Sequence, residues 1–192
     1  MAKISVLGNG MLYLEEGPIW VSKNELLWLY DRAVALPQGA VIVEIGSFFG
    51  RSSLALYTPD KLLICVDTFT GTEGDKSGDV AKTVPDVFDV FRRNVKAAKA
   101  NLAVICGDSI EVSKCFANDS LDMVWIDGDH FHVYEDLVAW YPKAKGLICG
   151  HDYTWKCVQD QVGRFAKENA LKIRLLDTEL RKYSIWVLEN GN

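Results

Sequence analysis

The chain has 192 residues, 49% of them apolar and 24% charged, which suits an ordinary globular protein long enough to bury a core. Its formal net charge of −5 argues against a nucleic-acid backbone as the main partner, and no apolar run approaches the ~20 residues that cross a bilayer. Residues 1–8 lack the apolar stretch of a secretory leader. The five cysteines are odd in number and include no Cys-x-x-Cys pair, so a reducing, cytoplasmic setting is expected rather than a disulfide or zinc framework. Cys65, Cys106 and Cys149 lie in apolar runs, where a free thiol behaves as a small core residue.

In chain order, short apolar runs alternate with amphipathic stretches, which predicts a parallel sheet with crossover helices. Ser22-x-x-Glu25 reads as a capping box opening a helix to about Leu36, where Pro37-Gln38-Gly39 stops it. Val41–Ile45 reads as the first buried strand, followed by a turn over residues 46–50 and a short helix to about Tyr57. The second strand, 62–66, ends at Asp67. Residues 70–83, rich in Gly, Asp and Thr, are predicted as a long loop, either a binding loop or lid or a plain solvated connection. A helix over 87–100 and a third strand at 103–106 come next, then a helix from about Ser109 and a fourth strand, Leu121–Ile126. Val133–Trp140 is helical, 147–149 is a fifth strand, 157–168 another helix, and two apolar runs follow at 172–176 and 183–188. No repeat or linker divides the chain. One domain over 1–192 is expected, with residues 1–40 as an N-terminal helical extension on the substrate side.

Functional groups of open parallel sheets gather beyond the carboxyl ends of the strands. After the first strand comes Glu44-Ile45-Gly46-Ser47-Phe48-Phe49-Gly50. Gly46 and Gly50 would let the backbone turn tightly and approach a ligand that a Cβ would exclude, although the same spacing serves a plain strand-to-helix turn. Asp67, 21 residues beyond Gly46, stands where an acidic side chain can accept hydrogen bonds from both ribose hydroxyls of a nucleoside. Asp108, after Gly107, could accept from an adenine amine or cap the next helix. Three such positions in register favour a nucleoside pocket. Asp127-Gly128-Asp129-His130 and Gly150-His151-Asp152-Tyr153 end the fourth and fifth strands. Asp127 and Asp152 would meet there and repel unless a cation lay between them, with Mg²⁺, Ca²⁺ or Mn²⁺ suited to oxygen ligands. His130 could accept a proton from a hydroxyl activated by that cation.

Taken together, Val43-Glu44-Ile45-Gly46-Ser47 with Gly50-Arg51-Ser52-Ser53, Val66-Asp67-Thr68-Phe69, Asp127-Gly128-Asp129-His130 and Gly150-His151-Asp152-Tyr153 resemble the class I S-adenosylmethionine-dependent methyltransferases. More narrowly, they are similar to the type 24 family, related to the macrocin and mycinamicin sugar O-methyltransferases and the cephalosporin-hydroxylase-like proteins. The resemblance runs from about residue 40 to the C-terminus. It implies a Rossmann-like three-layer α/β sandwich whose seven-stranded, mostly parallel sheet has the order 3-2-1-4-5-7-6, with the last strand, 183–188, antiparallel. It further implies that Glu44, Gly46, Ser47 and Gly50 shape the methionine end of the cofactor site. Asp67 with Thr68 would hold the ribose, Asp108 with Ser109 the adenine, and Asp127 would border both cofactor and metal. In the metal-dependent sugar methyltransferases the positions matching Asp127 and Asp152 bind Mg²⁺, and a residue matching His130 or Asp129 serves as base. Those enzymes carry a second acidic residue where this chain has His151. An imidazole ligand would favour a softer ion such as Mn²⁺ or Fe²⁺ over Mg²⁺; alternatively His151 stands outside the ligand set.

The expected activity is direct methyl transfer from S-adenosylmethionine to a small-molecule hydroxyl, glycosyl or phenolic, with or without a divalent metal. Transfer to nitrogen stays open, as does a homo-oligomer; neither nucleic acid nor membrane is expected as a partner. The acceptor would be held by residues 1–40 and the 70–83 segment. A nicotinamide-dependent dehydrogenase should show Gly-x-Gly-x-x-Gly, yet position 48 is Phe. A metal-dependent hydrolase or lyase could use Asp127, Asp152 and the histidines without a nucleoside, and a non-catalytic S-adenosylmethionine-binding module would tolerate loss of His130.

Overall fold

A computed structural model describes residues 3–98, 100–177 and 182–191. An antiparallel hairpin, β1 (Ile4–Val6) and β2 (Leu12–Leu14), opens the chain and leads into α1 (Lys23–Ala35). The predicted capping box is formed: Ser22 Oγ accepts from the Glu25 backbone N–H at 3.3 Å, and Glu25 Oε2 accepts from the Ser22 N–H at 2.6 Å. The helix stops at Ala35, because the residue before Pro37 is driven into extended backbone.

The main sheet follows from β3 (Val41–Ile45) through α2 (Arg51–Leu56), β4 (Leu62–Asp67), α3 (Lys76–Ala81), α4 (Val87–Asn94), β5 (Leu102–Cys106), α5 (Ser109–Ser113), β6 (Leu121–Ile126), α6 (Val133–Trp140), β7 (Ala144–Gly150), α7 (Lys156–Glu168), β8 (Leu171–Asp177) and β9 (Lys182–Asn190). Its order is β5-β4-β3-β6-β7-β9-β8, parallel except that β9 runs antiparallel to both β7 and β8. Counting β3 as the first strand, this is the expected 3-2-1-4-5-7-6 arrangement of a Rossmann-like α/β sandwich. The central strands are covered on both faces, which is why they read as unbroken apolar runs rather than alternating ones. Ile42, Cys65, Met123 and Trp125 point into the layer packed by the hairpin, α1, α2 and α4. Val43, Val66, Val124 and Ile126 point the other way, onto Leu137 and Trp140 of α6 and Val162 and Phe165 of α7. Among the described residues, no helix is long and apolar enough to cross a membrane.

The structure departs from the sequence reading in four places. The 70–83 segment is not wholly loop: Asp75 caps α3 through its side chain, and Gly78 sits so close to the Thr72 carbonyl that an added Cβ would lie 2.2 Å from it. The 87–100 helix ends at Asn94, whose side-chain N–H donates to the Phe49 carbonyl at 2.8 Å, and a 3₁₀ turn over Val95–Ala97 replaces its last turns. The N-terminal 40 residues are helical only in part, since the hairpin precedes α1 and buries Met11 and Leu14 in the core. Cys106 is exposed rather than in the core, because β5 is an edge strand and its end stands at the rim.

Candidate active site

Parallel strands β4, β3, β6 and β7 lie side by side and deliver their carboxyl ends to one side of the sheet, where the following loops enclose a cavity of about 600 Å³. The glycine turn forms one wall, with Gly46 and Ser47 lining the cavity. Gly46 has φ +87°, and a Cβ there would lie 2.2 Å from the Asp127 carbonyl oxygen and 2.5 Å from Gly128 Cα. Its bareness therefore serves the approach of the β3 and β6 loops to each other rather than to a ligand. Gly50 (φ +84°) does not reach the cavity; a Cβ there would meet Val95 and Phe91. Glu44 is likewise absent from the wall. Fully buried beneath the turn, it accepts from the Ser47 hydroxyl at 2.7 Å and from the Ser53 hydroxyl, while its Oε1 has no hydrogen-bond partner. Burial pushes its carboxyl up to about 6, the serine hydroxyls opposing the rise.

Asp67 ends β4 on the cavity wall with both oxygens engaged: Oδ2 accepts from the Phe48 N–H at 2.7 Å and Oδ1 from the Phe69 N–H at 2.6 Å. Burial raises its pKa against those bonds. Thr68 beside it lines the cavity and pairs its hydroxyl with Thr70 at 2.8 Å. Asp108 is the N-cap of α5, accepting from the Glu111 N–H at 3.0 Å, and also borders the cavity. The Ser109 hydroxyl donates to Asp136, a buried carboxyl of α6 that sequence reasoning missed and that burial pushes up to about 7.

The ends of β6 and β7 bring the remaining groups together. One ligand-type atom from each of Asp127, His151 and Asp152 lies within 4.8 Å of the others. His151 Nδ1 is 3.6 Å from Asp127 Oδ1 and 3.3 Å from Asp152 Oδ2 and makes no hydrogen bond. A buried nitrogen that faces two carboxylates without a hydrogen bond to either is, with them, the donor set a divalent ion would satisfy, so the residues present fit a metal. Burial raises Asp127 above the usual carboxylate range, with the His151 charge opposing. Burial acts the same way on Asp152, but the hydrogen bond from His130 and the charges of His151 and His130 beside it prevail and hold it well below that range.

His130 stacks on Trp155, ring centroids 4.8 Å apart, with Nε2 2.9 Å from Asp152 Oδ2 and Nδ1 against Asp75 of the α3 cap. Burial alone would lower its pKa; the hydrogen bond to Asp152 and the charges of Asp152, Asp127 and Asp75 outweigh that and push it up to about 9. Asp129 also lines the cavity, but its oxygens serve the turn, accepting from the Phe131 N–H at 2.9 Å and lying 2.8 Å from His132 Nδ1. Asp75 is a second residue the sequence reading passed over. Its Asp-x-Ser spacing was the available signal, since Asp75 Oδ1 accepts from the Ser77 N–H as a helix cap does.

An open α/β sheet with this strand order, a glycine turn after its first strand and acidic residues at the ends of the next three defines the class I S-adenosylmethionine-dependent methyltransferase architecture. The methyltransferase domain family, Methyltransf_24, matches residues 43–153, more than half of the chain, and the chain belongs to that family. No curated protein matches it in sequence. Among solved structures, it is similar to precorrin-6y C5,15-methyltransferase from Geobacter metallireducens (TM-score 0.65, 14% identity, 92% of this chain and 91% of that one). It is also similar to the O-methyltransferase TomG from Streptomyces achromogenes, involved in tomaymycin synthesis and solved with S-adenosylmethionine (0.63, 15%, 89% and 82%). A third is an O-methyltransferase from Bacillus cereus in complex with S-adenosylhomocysteine (0.63, 15%, 88% and 80%). At such identities the likeness shows the shared fold.

Proposed function

We propose that this chain transfers the methyl group of S-adenosylmethionine to a hydroxyl of a small molecule, a sugar or a phenol, with a divalent cation held by Asp127, His151 and Asp152. The observation that carries the reading is the meeting, on one cavity, of the glycine turn, Asp67, Asp127 and Asp152, with the His151 imidazole buried against the two carboxylates and its Nδ1 free of hydrogen bonds. Bound S-adenosylmethionine supplies an electrophilic methyl on sulfur; the chain's part is to position, to exclude water and to move one proton. Asp67 and Thr68 would face the ribose, Ser109 and Asp108 the adenine, and Ser47 the methionine end. A cation at the cluster would lower the pKa of the acceptor hydroxyl, and an imidazole ligand selects Mn²⁺ or Fe²⁺ over Mg²⁺.

His130 is assigned the acceptor's proton. Asp75 on its Nδ1 fixes the ring and stabilises the imidazolium, as in an Asp-His pair of a hydrolase, and Nε2, which here donates to Asp152 at 2.9 Å, would become the basic atom once a cation at the cluster offset the carboxylate charges that raise the ring's pKa. Trp155 against its face holds the ring in plane. The segment from Thr70 to Ser77 forms one side of the cavity, and Glu16, Pro18 and Trp20 ahead of α1 another, so the acceptor would lie between them. The test is calorimetric titration of S-adenosylhomocysteine, then methyl transfer to a panel of sugars and phenols with chelator and with Mn²⁺ or Mg²⁺ restored. Binding, with transfer that chelation abolishes and Mn²⁺ restores, is the expected outcome. No binding would overturn the reading in favour of a metal-dependent hydrolase, and binding without transfer in favour of a cofactor-binding module.

A further inference from the structure

His151 is enclosed, its side chain 1% exposed, and its two ring nitrogens see different surroundings. Nδ1 faces Asp127 and Asp152 without a hydrogen bond, whereas Nε2 lies 3.2 Å from Glu25 Oε1 and 3.1 Å from Ser184 Oγ. Glu25 is the capping-box residue of α1, with its other oxygen accepting from the Ser22 N–H. A capping box asks only that this carboxylate reach back to the helix start, and it normally does so at the solvated end of a helix. Here the side chain is 0% exposed. Burying a carboxylate is costly without partners, and the helix alone gives no reason for it.

We propose that Glu25 is a positioning residue for the cation site: it accepts the Nε2–H of His151, so that Nδ1 presents its lone pair to the space between Asp127 and Asp152. This rests on the cation reading above. The neighbouring Ser184 hydroxyl can donate or accept and so cannot choose the tautomer; the Glu25 carboxylate only accepts and therefore keeps a proton on Nε2, so that a cation between Asp127 and Asp152 would take the place of the proton on Nδ1 alone. Metal-bound histidines are held in this way through their second nitrogen, and losing the outer partner weakens metal binding ~10- to 100-fold. Asp127 and Asp152 descend from strands fixed by the sheet, but the ring of His151 is oriented by a residue of the N-terminal helix. One carboxylate thus starts α1 and aims the imidazole.

The experiment is calorimetric Mn²⁺ titration, with Mn²⁺ electron paramagnetic resonance, of the full chain as wild type, Glu25→Ala, Glu25→Gln and Ser22→Ala. S-adenosylhomocysteine binding and circular dichroism check each fold. Ser22→Ala removes the other arm of the capping box without touching His151. Glu25→Ala is expected to lose Mn²⁺ affinity ~10- to 100-fold while still binding S-adenosylhomocysteine, and Ser22→Ala to lose thermal stability but keep Mn²⁺. Should Glu25→Ala not fold, the isosteric Glu25→Gln decides, with a severalfold loss expected. Wild-type Mn²⁺ affinity in the folded Glu25 variants, or an equal loss in Ser22→Ala, overturns the positioning role. Absence of Mn²⁺ binding in wild type that still binds S-adenosylhomocysteine overturns the cation site and this role together, and leaves methyl transfer standing.

Discussion

Replacing Glu44 by Gln measures what a carboxyl sealed beneath the glycine turn does to stability. Glu44 is 0% exposed, and burial raises its pKa from 4.5 to about 6. That rise corresponds to ~2 kcal/mol of preference for the neutral form. The folded state holds the proton more tightly than the unfolded one, so the contribution is complete below pH 4.5 and is lost as pH rises through about 6. Gln has nearly the same shape and no charge at any pH. Its amide N–H₂ can serve the Ser47 and Ser53 hydroxyl oxygens, which rotate to accept. Urea unfolding of wild type and Glu44→Gln across pH 4 to 7 should show their difference in stability shift by ~2 kcal/mol in favour of the variant as pH rises. Other titrating groups cancel in that difference. On a thermal scan the same quantity is a ~4–8 °C relative gain for a chain of this size. A difference that stays flat from pH 4 to 7 would refute the argument that burial governs this carboxyl.

Gly46→Ala should destabilise by ~2–5 kcal/mol, the sum of left-handed backbone strain and the displacement of the Asp127–Gly128 backbone, and a melt within 2 °C of wild type would contradict it. Asp136→Asn should remove a fall in stability that wild type shows as pH rises through about 7, because burial keeps that carboxyl neutral below it; unfolding curves at pH 5.5 and 8 check this. His130→Gln is expected to slow methyl transfer ~10²–10⁴-fold with S-adenosylhomocysteine affinity within a few-fold of wild type, and an undiminished rate would remove it as the base. Asp75→Asn, which leaves a ring partner but no charge, should slow transfer by less than the histidine change.

The central sheet was readable because its strands are apolar on both faces and each ends in a glycine or an acidic residue; order and direction came with the family resemblance, not from periodicity. Helix α3 was hidden because its apolar periodicity is replaced by Gly78 lying on Thr72, a contact only the folded chain reveals. The end of α4 at Asn94 is set by the Phe49 carbonyl, 45 residues away. The Asp127, Asp152 and His130 segments were visible as clustered polar residues at strand ends. Asp136, inside an amphipathic helix, and Glu25, already accounted for by a capping box, carry second roles that local sequence does not display. Glu44 and Gly50 belong to the turn's motif, yet act from behind the cavity wall.

Three residues other than glycine that follow strand ends at the cavity hold left-handed backbone: Phe48 at φ 42°, Phe69 at 57° and Asp152 at 55°. Each costs ~1–2 kcal/mol and persists only where neighbours enforce it. Two of the three are enforced by one side chain, since the N–H groups of Phe48 and Phe69 both point at the Asp67 carboxylate. Hydrogen bonds to a charged acceptor are worth ~1.5–3 kcal/mol each, enough to offset that strain. Asp67 therefore clamps the turns that bound the proposed nucleoside pocket before it touches any ribose. If it acted on the ribose alone, Asp67→Ala would lose affinity for S-adenosylhomocysteine and leave Tm unchanged. The clamp predicts that Tm falls as well, by the ~6–12 °C that ~3 kcal/mol represents at this chain length, with or without ligand. An affinity loss at constant Tm would return Asp67 to a purely ligand-facing role.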